Sequence, residues 1–295
     1  MKTCGIFTIH EVVVKMKHGH EPWYLIPFGD IHRDSPQCAV DRWHEYLAEW
    51  KSIPNKLMLG MGDYTDMLST SERMIIGHDG LHESTKEQID QHARRGVKVL
   101  ADELKGVGGH WLGLLGGNHY YQFEDGTTGD NQLAGQLGTS FLGVCSFIRI
   151  LFCWAGSTNR KAALTIFAHH GAGGGGRLVG GSMNRVAQSA EFADADICLM
   201  GHDHNVGILK LKPILGLSGN NQGELRVIER QRWVGRTGSY LKAYVDGKKS
   251  YNVDAARSPS SLGHIKFEIT PTRFEGTTES GRKIDSLSIK IRGIS

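Results

Sequence analysis

Five times along this 295-residue chain, a short apolar run that reads as a buried strand breaks off into glycine, aspartate, asparagine or histidine. The run ending at Phe28 leads into Gly29-Asp30-Ile31-His32, and the one ending at Met61 into Gly62-Asp63. The run ending at Leu115 leads into Gly116-Gly117-Asn118-His119, and residues 196–200 lead into Gly201-His202-Asp203-His204. A fifth run, 162–168, ends in His169-His170. Loops beyond the carboxyl ends of strands in α/β sheets are where ligands sit, because the strand fixes the side chain and the loop exposes it. In extended chain, residues i and i+2 point to one side, so D-x-H and H-x-H each send two ligand types to the same place. One such piece alone is an ordinary surface loop; five after five strands constrain the fold and the chemistry together.

Between these runs the apolar period changes. Residues 5–14 and 23–28, around the polar KHGHE segment, read as a β-hairpin. Trp43, Tyr46, Leu47 and Trp50 fall at helical spacing behind Pro36, which predicts a helix over 36–51. Residues 84–106 predict a long helix opened by Ser84 with Glu87 three residues on, a capping box. Further helices are predicted near 130–138 and 182–192, and strands near 143–154 and 162–168. Beyond residue 205 helical patterns stop, and 206–212, 224–229, 264–270 and 286–292 read as strands. Strands alternating with helices, then strands alone, imply a layered α/β chain with a β-rich C-terminal part. The division expected is a core over 1–205 and a part over 206–295 that completes the second sheet and contacts substrate.

Composition narrows the class. A chain of this length buries enough surface to fold without a disulfide or metal staple. Charged residues at 22% and apolar residues at 39% exclude wholesale disorder. No apolar run approaches the roughly 18 residues of a membrane span. No unbroken apolar core followed by a cleavage site is read at the N-terminus, so a cytoplasmic protein without a membrane partner is expected. Five cysteines without a C-x-x-C pair fit reduced thiols. The 15 histidines matter more, since imidazole is the commonest metal ligand. Residues 1–205 carry 18 Lys/Arg against 23 Asp/Glu, whereas 206–295 carry 16 against 8. The basic third makes nucleic acid a second class of partner. Within it, residues 229–240 (ERQRWVGRTGSY) interleave arginine with aromatics, as single-strand binders do; exposed arginine on strands that complete a sandwich reads equally well.

The ordered set D-x-H, G-D, G-N-H, H and G-H-x-H resembles the calcineurin-like metallophosphoesterases over roughly residues 24–205. The resemblance implies a four-layer α/β/β/α sandwich of two mixed β-sheets flanked by helices. It implies two divalent transition-metal ions (Mn, Fe, Zn or Ni, with Mn favoured). Asp30, His32, Asp63 and His204 would hold one, and Asp63 would bridge to a second completed by Asn118, His202 and one of the 169–170 pair. The resemblance favours His169, with His170 as the alternative ligand or a residue behind the ligands. Mixed imidazole, carboxylate and amide donors suit such metals better than Mg or Ca. His119 would be no ligand but would serve the leaving oxygen.

The expected activity is phosphoester hydrolysis, phosphodiesters before monoesters, by a metal-bridging hydroxide. A nuclease using the basic C-terminal part and a non-catalytic scaffold of the same fold are the alternatives. Two departures from the family pattern stand out. Tyr120 follows His119 where Asp or Glu is common, which leaves Asp30, Asp34 or a backbone carbonyl to orient that histidine. Met67-Leu68 stand where protein phosphatases carry Arg-Gly. Residues 171–176 match G-x-G-x-x-G with Glu191 downstream, but a glycine run matches many patterns, and its place behind a ligand histidine argues for close approach to phosphate with Arg177 alongside.

Overall fold

The computed structural model describes residues 2–4, 7–17, 20–67, 83–154, 161–172, 179–219, 225–247, 253, 258–259, 261–277 and 283–294. Its first half runs β1 (Lys2–Cys4), β2 (Phe7–Met16), β3 (Trp23–Phe28), α1 (Val40–Ser52), β4 (Lys56–Gly60), α2 (Glu83–Lys105), β5 (His110–Leu114) and α3 (Gly129–Gln136). There follow β6 (Cys145–Trp154), β7 (Lys161–His169), α4 (Val179–Phe192), β8 (Ile197–Met200) and β9 (Val206–Lys210). The chain ends with β10 (Ile214–Gly219), β11 (Leu225–Arg230), β12 (Trp233–Thr237), β13 (Lys266–Thr277) and β14 (Lys283–Ile294).

Two mixed sheets carry the architecture. One has seven strands in the order β1-β2-β6-β7-β8-β12-β9, the other five in the order β14-β13-β3-β4-β5. Strand alternation sorts the side chains into three apolar layers. Leu25, Leu57, Leu59, Ile148, Ile150, Leu164, Ile166, Leu199 and Phe267 meet between the sheets. The alternate positions Ile26, Phe28 and Met58 face outward onto Trp43, Trp50, Val97 and Leu100 of α1 and α2. Phe167 and Cys198 face outward from the other sheet onto Val186 and Ala190 of α4. The chain is therefore an α/β sandwich of four layers, helix, sheet, sheet, helix.

The local reasons are legible. Buried Ala93, Val97, Leu100, Ala101 and Leu104 form the single stripe of an amphipathic α2. In α1, Trp43 and Trp50 are fully buried two turns apart and pack on Phe28, with ring centroids 6.4 and 5.3 Å away. Helix α1 starts at Val40 rather than 36, because Cys38 closes a turn onto Ser35 (2.9–3.0 Å hydrogen bonds through this turn) before the helix begins. Helix α2 begins at Glu83, which puts Ser84 in its first turn rather than ahead of it.

The expected hairpin does not form. Strand β2 pairs with β1 and, in parallel, with β6, whereas β3 pairs with β4 and β13 in the other sheet. Both strands bury apolar side chains (Val14 and Met16, Trp23 and Leu25) in the layer between sheets, so they lie face to face instead of edge to edge. Beyond residue 205 the strands serve both sheets: β9 and β12 extend the larger, β13 and β14 the smaller, and among the described residues β10 and β11 pair only with each other. Cys38, Cys145, Cys153 and Cys198 are free thiols. Among the described residues, no helix is long and apolar enough to cross a membrane.

Candidate metal centre

The loops after β3, β4, β5, β7 and β8 converge at one edge of the sandwich, and they are sewn together by main chain. Asp30 N donates to Gly62 O (2.9 Å), Ile31 N to Asp63 O (2.8 Å) and Gly201 N to His170 O (2.9 Å). Behind them, Ser239 Oγ and Tyr240 N donate to Asp30 O (2.8 and 3.1 Å). The loops are not extended as the i, i+2 argument supposes. Asp30, His32, Asp63, His202 and His204 all have left-handed backbones, with φ of 48, 47, 50, 73 and 60°. Each such residue costs on the order of 1 kcal/mol, a strain that collects where surrounding structure imposes it and that clusters at functional sites. Glycines make room: a Cβ on Gly117 would stand 1.9 Å from Asp63 Oδ1, and one on Gly62 2.6 Å from His170 Nδ1.

The convergent side chains form three groups, of which Asp30-His32-His204 and His32-Asp66-His119 share His32. Asp30, His32 and His204 bring ligand atoms within 4.8 Å of one another, and so do Asp63, His170 and His202. Asn118 Oδ1 lies 2.9 Å from His170 Nε2 and 2.7 Å from His202 Nδ1, and Asp63 Oδ2 lies 3.3 Å from the same His170 nitrogen. His119 N donates to Asp63 Oδ1 (2.8 Å), which anchors that carboxylate beside the second group. The donor set fits divalent metal ions on three counts. His32 Nδ1 donates to Asp66 Oδ1 (2.9 Å) and His170 Nδ1 to Met61 O (2.7 Å), which leaves each Nε2 with a lone pair turned inward. Asp30 Oδ1 and His32 Nε2 are buried without a hydrogen-bond partner. Finally, atoms that all carry lone pairs crowd to hydrogen-bond distance, which is stable only around a shared proton or cation.

Of the histidine pair, the structure brings His170, the alternative, into the cluster and leaves His169, the favoured one, outside it. Along β7, Ala168 faces the layer between sheets and Phe167 faces α4. His169 follows the parity of Phe167, and its Nδ1 accepts from Gly171 N (2.7 Å). His170 follows the parity of Ala168 and so reaches the cluster.

Electrostatics accentuate the crowding. Complete burial pushes the Asp30 carboxyl up to about 7, against the pull of the His170 charge and with Asp63 adding repulsion. For Asp63, burial also opposes ionisation, but the His170 contact and the charges of His170, His32 and His119 outweigh it and hold the carboxyl well below its usual range. Burial disfavours the charged form of His170, yet Asp63 and Asp30 lift it to about 9. Burial and the His32 charge press His204 down to about 3.

His119 belongs to the third group, with His32 and Asp66, at the more open side of the cluster. Its ring lies 4.9 Å from that of His32, and 24% of its side chain is open to solvent. Its Nδ1 sits 3.0 Å from Asp66 Oδ1, without a well-aligned hydrogen bond. Asp66, in Gly62-Asp63-Tyr64-Thr65-Asp66, is thus the carboxylate that faces both His32 and His119, where Asp30, Asp34 or a carbonyl was expected. Burial opposes ionisation of Asp66, but the contacts and charges of His119 and His32 outweigh it and hold the carboxyl well below its usual range. Arg236 is the other residue that sequence reasoning placed differently. It is 2% exposed, donates to Gly201 O (3.0 Å) and Ser182 O (3.0 and 3.1 Å), and pairs with Asp203 (3.2 Å), so it braces the loop bearing His202 and His204. Tyr240 is buried, Arg230 pairs with Asp194 and Asp196, and Arg232 donates to Ala190 O, so 229–240 works largely inside the molecule. Arg177 and residues 173–176 of the glycine run lie outside the described residues.

No family model and no curated protein matches the sequence. Among solved structures, the chain is similar to Vps29 from Chaetomium thermophilum, at 11% identity and a TM-score of 0.37, over 92% of this chain and 97% of that one. It is also similar to a conserved uncharacterized protein of Streptococcus pneumoniae described as a predicted phosphoesterase, at 12% identity and a TM-score of 0.28, over 92% and 99%. Likenesses this low carry no argument, and the reading of the site rests on its own residues.

Proposed function

We propose that this chain is a phosphoester hydrolase that works with two divalent transition-metal ions. The observation that carries the reading is the buried convergence of two carboxylates, four imidazoles and an amide, with Asp30 Oδ1 and His32 Nε2 unpaired. Asp30, His32 and His204 would hold one ion, and His170, His202 and Asn118 the other, with Asp63 shared. An anionic ligand common to both offsets the repulsion of ions about 3.5–4 Å apart. Manganese, iron, zinc or nickel suits these donors, and Mn²⁺ is the first choice for assay. Such ions supply Lewis acidity at the phosphoryl oxygens and bring the pKa of a water toward neutrality.

The chain's own groups do the rest. His119, partly exposed beside the cluster, would give a proton to the departing oxygen, and Asp66, 3.0 Å from its Nδ1, sets the ring. His119 N and the glycine at 117 keep Asp63 in place. Among the described residues, Arg33 is engaged by Glu103 (2.7–3.1 Å) and Arg236 by Asp203. A phosphodiester before a monoester is the proposed substrate class.

The test uses protein stripped of metal and reloaded with Mn²⁺, with an aryl phosphodiester and its monoester as substrates. Mn²⁺-dependent cleavage, faster on the diester and abolished by Asp63→Asn, is expected. Two bound ions with no turnover of either ester would contradict hydrolysis and favour a binding role for the same site.

A further inference from the structure

The hairpin β10–β11 belongs to neither large sheet. Among the described residues its strands pair antiparallel only with each other, Leu217 opposite Val227, Leu215 opposite Glu229 and Gly219 opposite Leu225. This register puts Leu215, Leu217, Leu225 and Val227 on one face, and they are 72, 71, 70 and 67% exposed. The alternate positions Ile214, Gly216 and Ile228 are half-buried. Arg230, at the hairpin's base, pairs with Asp194 and Asp196 just ahead of β8, and Leu211 N donates to Arg232 O (3.0 Å). These ties fix which face looks outward. Strand β8 runs toward the metal centre and the hairpin joins at its start, so the hairpin lies at the opposite pole of the molecule.

A two-stranded ribbon alone is marginal in water, and an exposed aliphatic cluster makes it worse. Something apolar therefore covers this face. We propose that a second copy of this chain does, the two hairpins packing face to face about a two-fold axis. The chemistry is self-complementary: four aliphatic side chains with a single charge, Glu229, at the end of the row offer nothing to a charged partner and match their own image. The area agrees. At this exposure the four side chains leave on the order of 450 Å² per copy, so two copies bury on the order of 900 Å², close to the ~1,000 Å² of the smallest specific interfaces. An interface this small makes a weak dimer, and the candidate metal centre of each copy, at the far pole, stays open to substrate.

Sedimentation equilibrium on the full chain, from nanomolar to high-micromolar concentration, tests this. A mass rising from one chain to two is expected. Leu217→Lys with Val227→Lys should raise the dimer dissociation constant at least about tenfold, whereas Val144→Lys, an exposed apolar residue elsewhere, should leave it unchanged. Hydrogen exchange on the unmodified chain guards against a misfolded variant: amides of 214–219 and 225–230 should slow in step with the dimer fraction. A single-chain mass throughout, a dimer indifferent to the lysines, or exchange that does not slow overturns the proposal. Binding of a monomeric chain to neutral lipid vesicles would assign the face to a membrane instead and also overturn it.

Discussion

At the scale of single residues, Asp63 and His119 separate two kinds of work done a few ångströms apart. Asp63→Asn removes the charge shared by both ligand groups and should abolish ion binding, read by metal content after gel filtration. His119→Ala should keep the ions and lower turnover by about 10²–10⁴-fold, because it removes only proton transfer. If His119→Ala strips the ions, the assignment fails. Gly117→Ala is a steric test of the same site. Its Cβ would have to displace Asp63, so ion binding should fall and stability drop by about 1–3 kcal/mol, seen in thermal unfolding. Ligand types were legible in the sequence because each follows an apolar run. The parity of β7 was not, since Phe167 and Ala168 are both apolar and buried, and only the layers packed on each face show which one His170 follows. Asp66 as partner of His119 was not, because only the fold brings the loop after β4 against the loop after β5.

At the scale of elements, the tests fall on α1 and α2. Gly96 lies inside α2 with open space where a side chain would stand. Gly96→Ala should stabilise the protein by ~0.5–1 kcal/mol in denaturant titration, through helix propensity and a less disordered unfolded chain. Helix α1 docks through Trp50, whose Nε1 donates to His264 Nε2 (3.0 Å), while the Tyr240 hydroxyl lies 3.2 Å from Nδ1. Burial, with the Lys266 charge, presses His264 down to about 3, below the 6.5 of an exposed imidazole. Between these values the unfolded chain binds a proton that the folded one refuses. The neutral ring's contribution is therefore complete above pH 6.5 and is lost as pH falls, at about 1 kcal/mol per pH unit until about pH 3. Against wild type, His264→Gln should flatten this acid limb of the stability profile; an unchanged slope would show that His264 is not its source. Helices were readable from their stripes, Trp43 to Trp50 and Ala93 to Leu104. Sheet membership was not: β2 and β3 look like a hairpin along the chain, and only the shared layer between the sheets parts them.

For the molecule as a whole, the sandwich puts five strand ends at one pole and an unpartnered hairpin at the other. The ends are strained and crowd lone-pair atoms together, with Asp30 Oδ1 and His32 Nε2 lacking a hydrogen-bond partner, so ions binding there should stabilise the fold. Chelation should lower the unfolding midpoint by several degrees, and Mn²⁺ should restore it in a concentration-dependent way, since a ligand bound only by the folded state adds RT ln(1 + [L]/Kd). A midpoint indifferent to both would disconnect the cluster from metal. The most direct measurement is Mn²⁺ stoichiometry by equilibrium dialysis with mass-spectrometric detection, on the wild type, His169→Ala and His170→Ala. Two ions per chain are predicted for the wild type and for His169→Ala, and fewer than two for His170→Ala. Fewer than two in the wild type, or loss with His169→Ala while His170→Ala keeps both, would contradict the account.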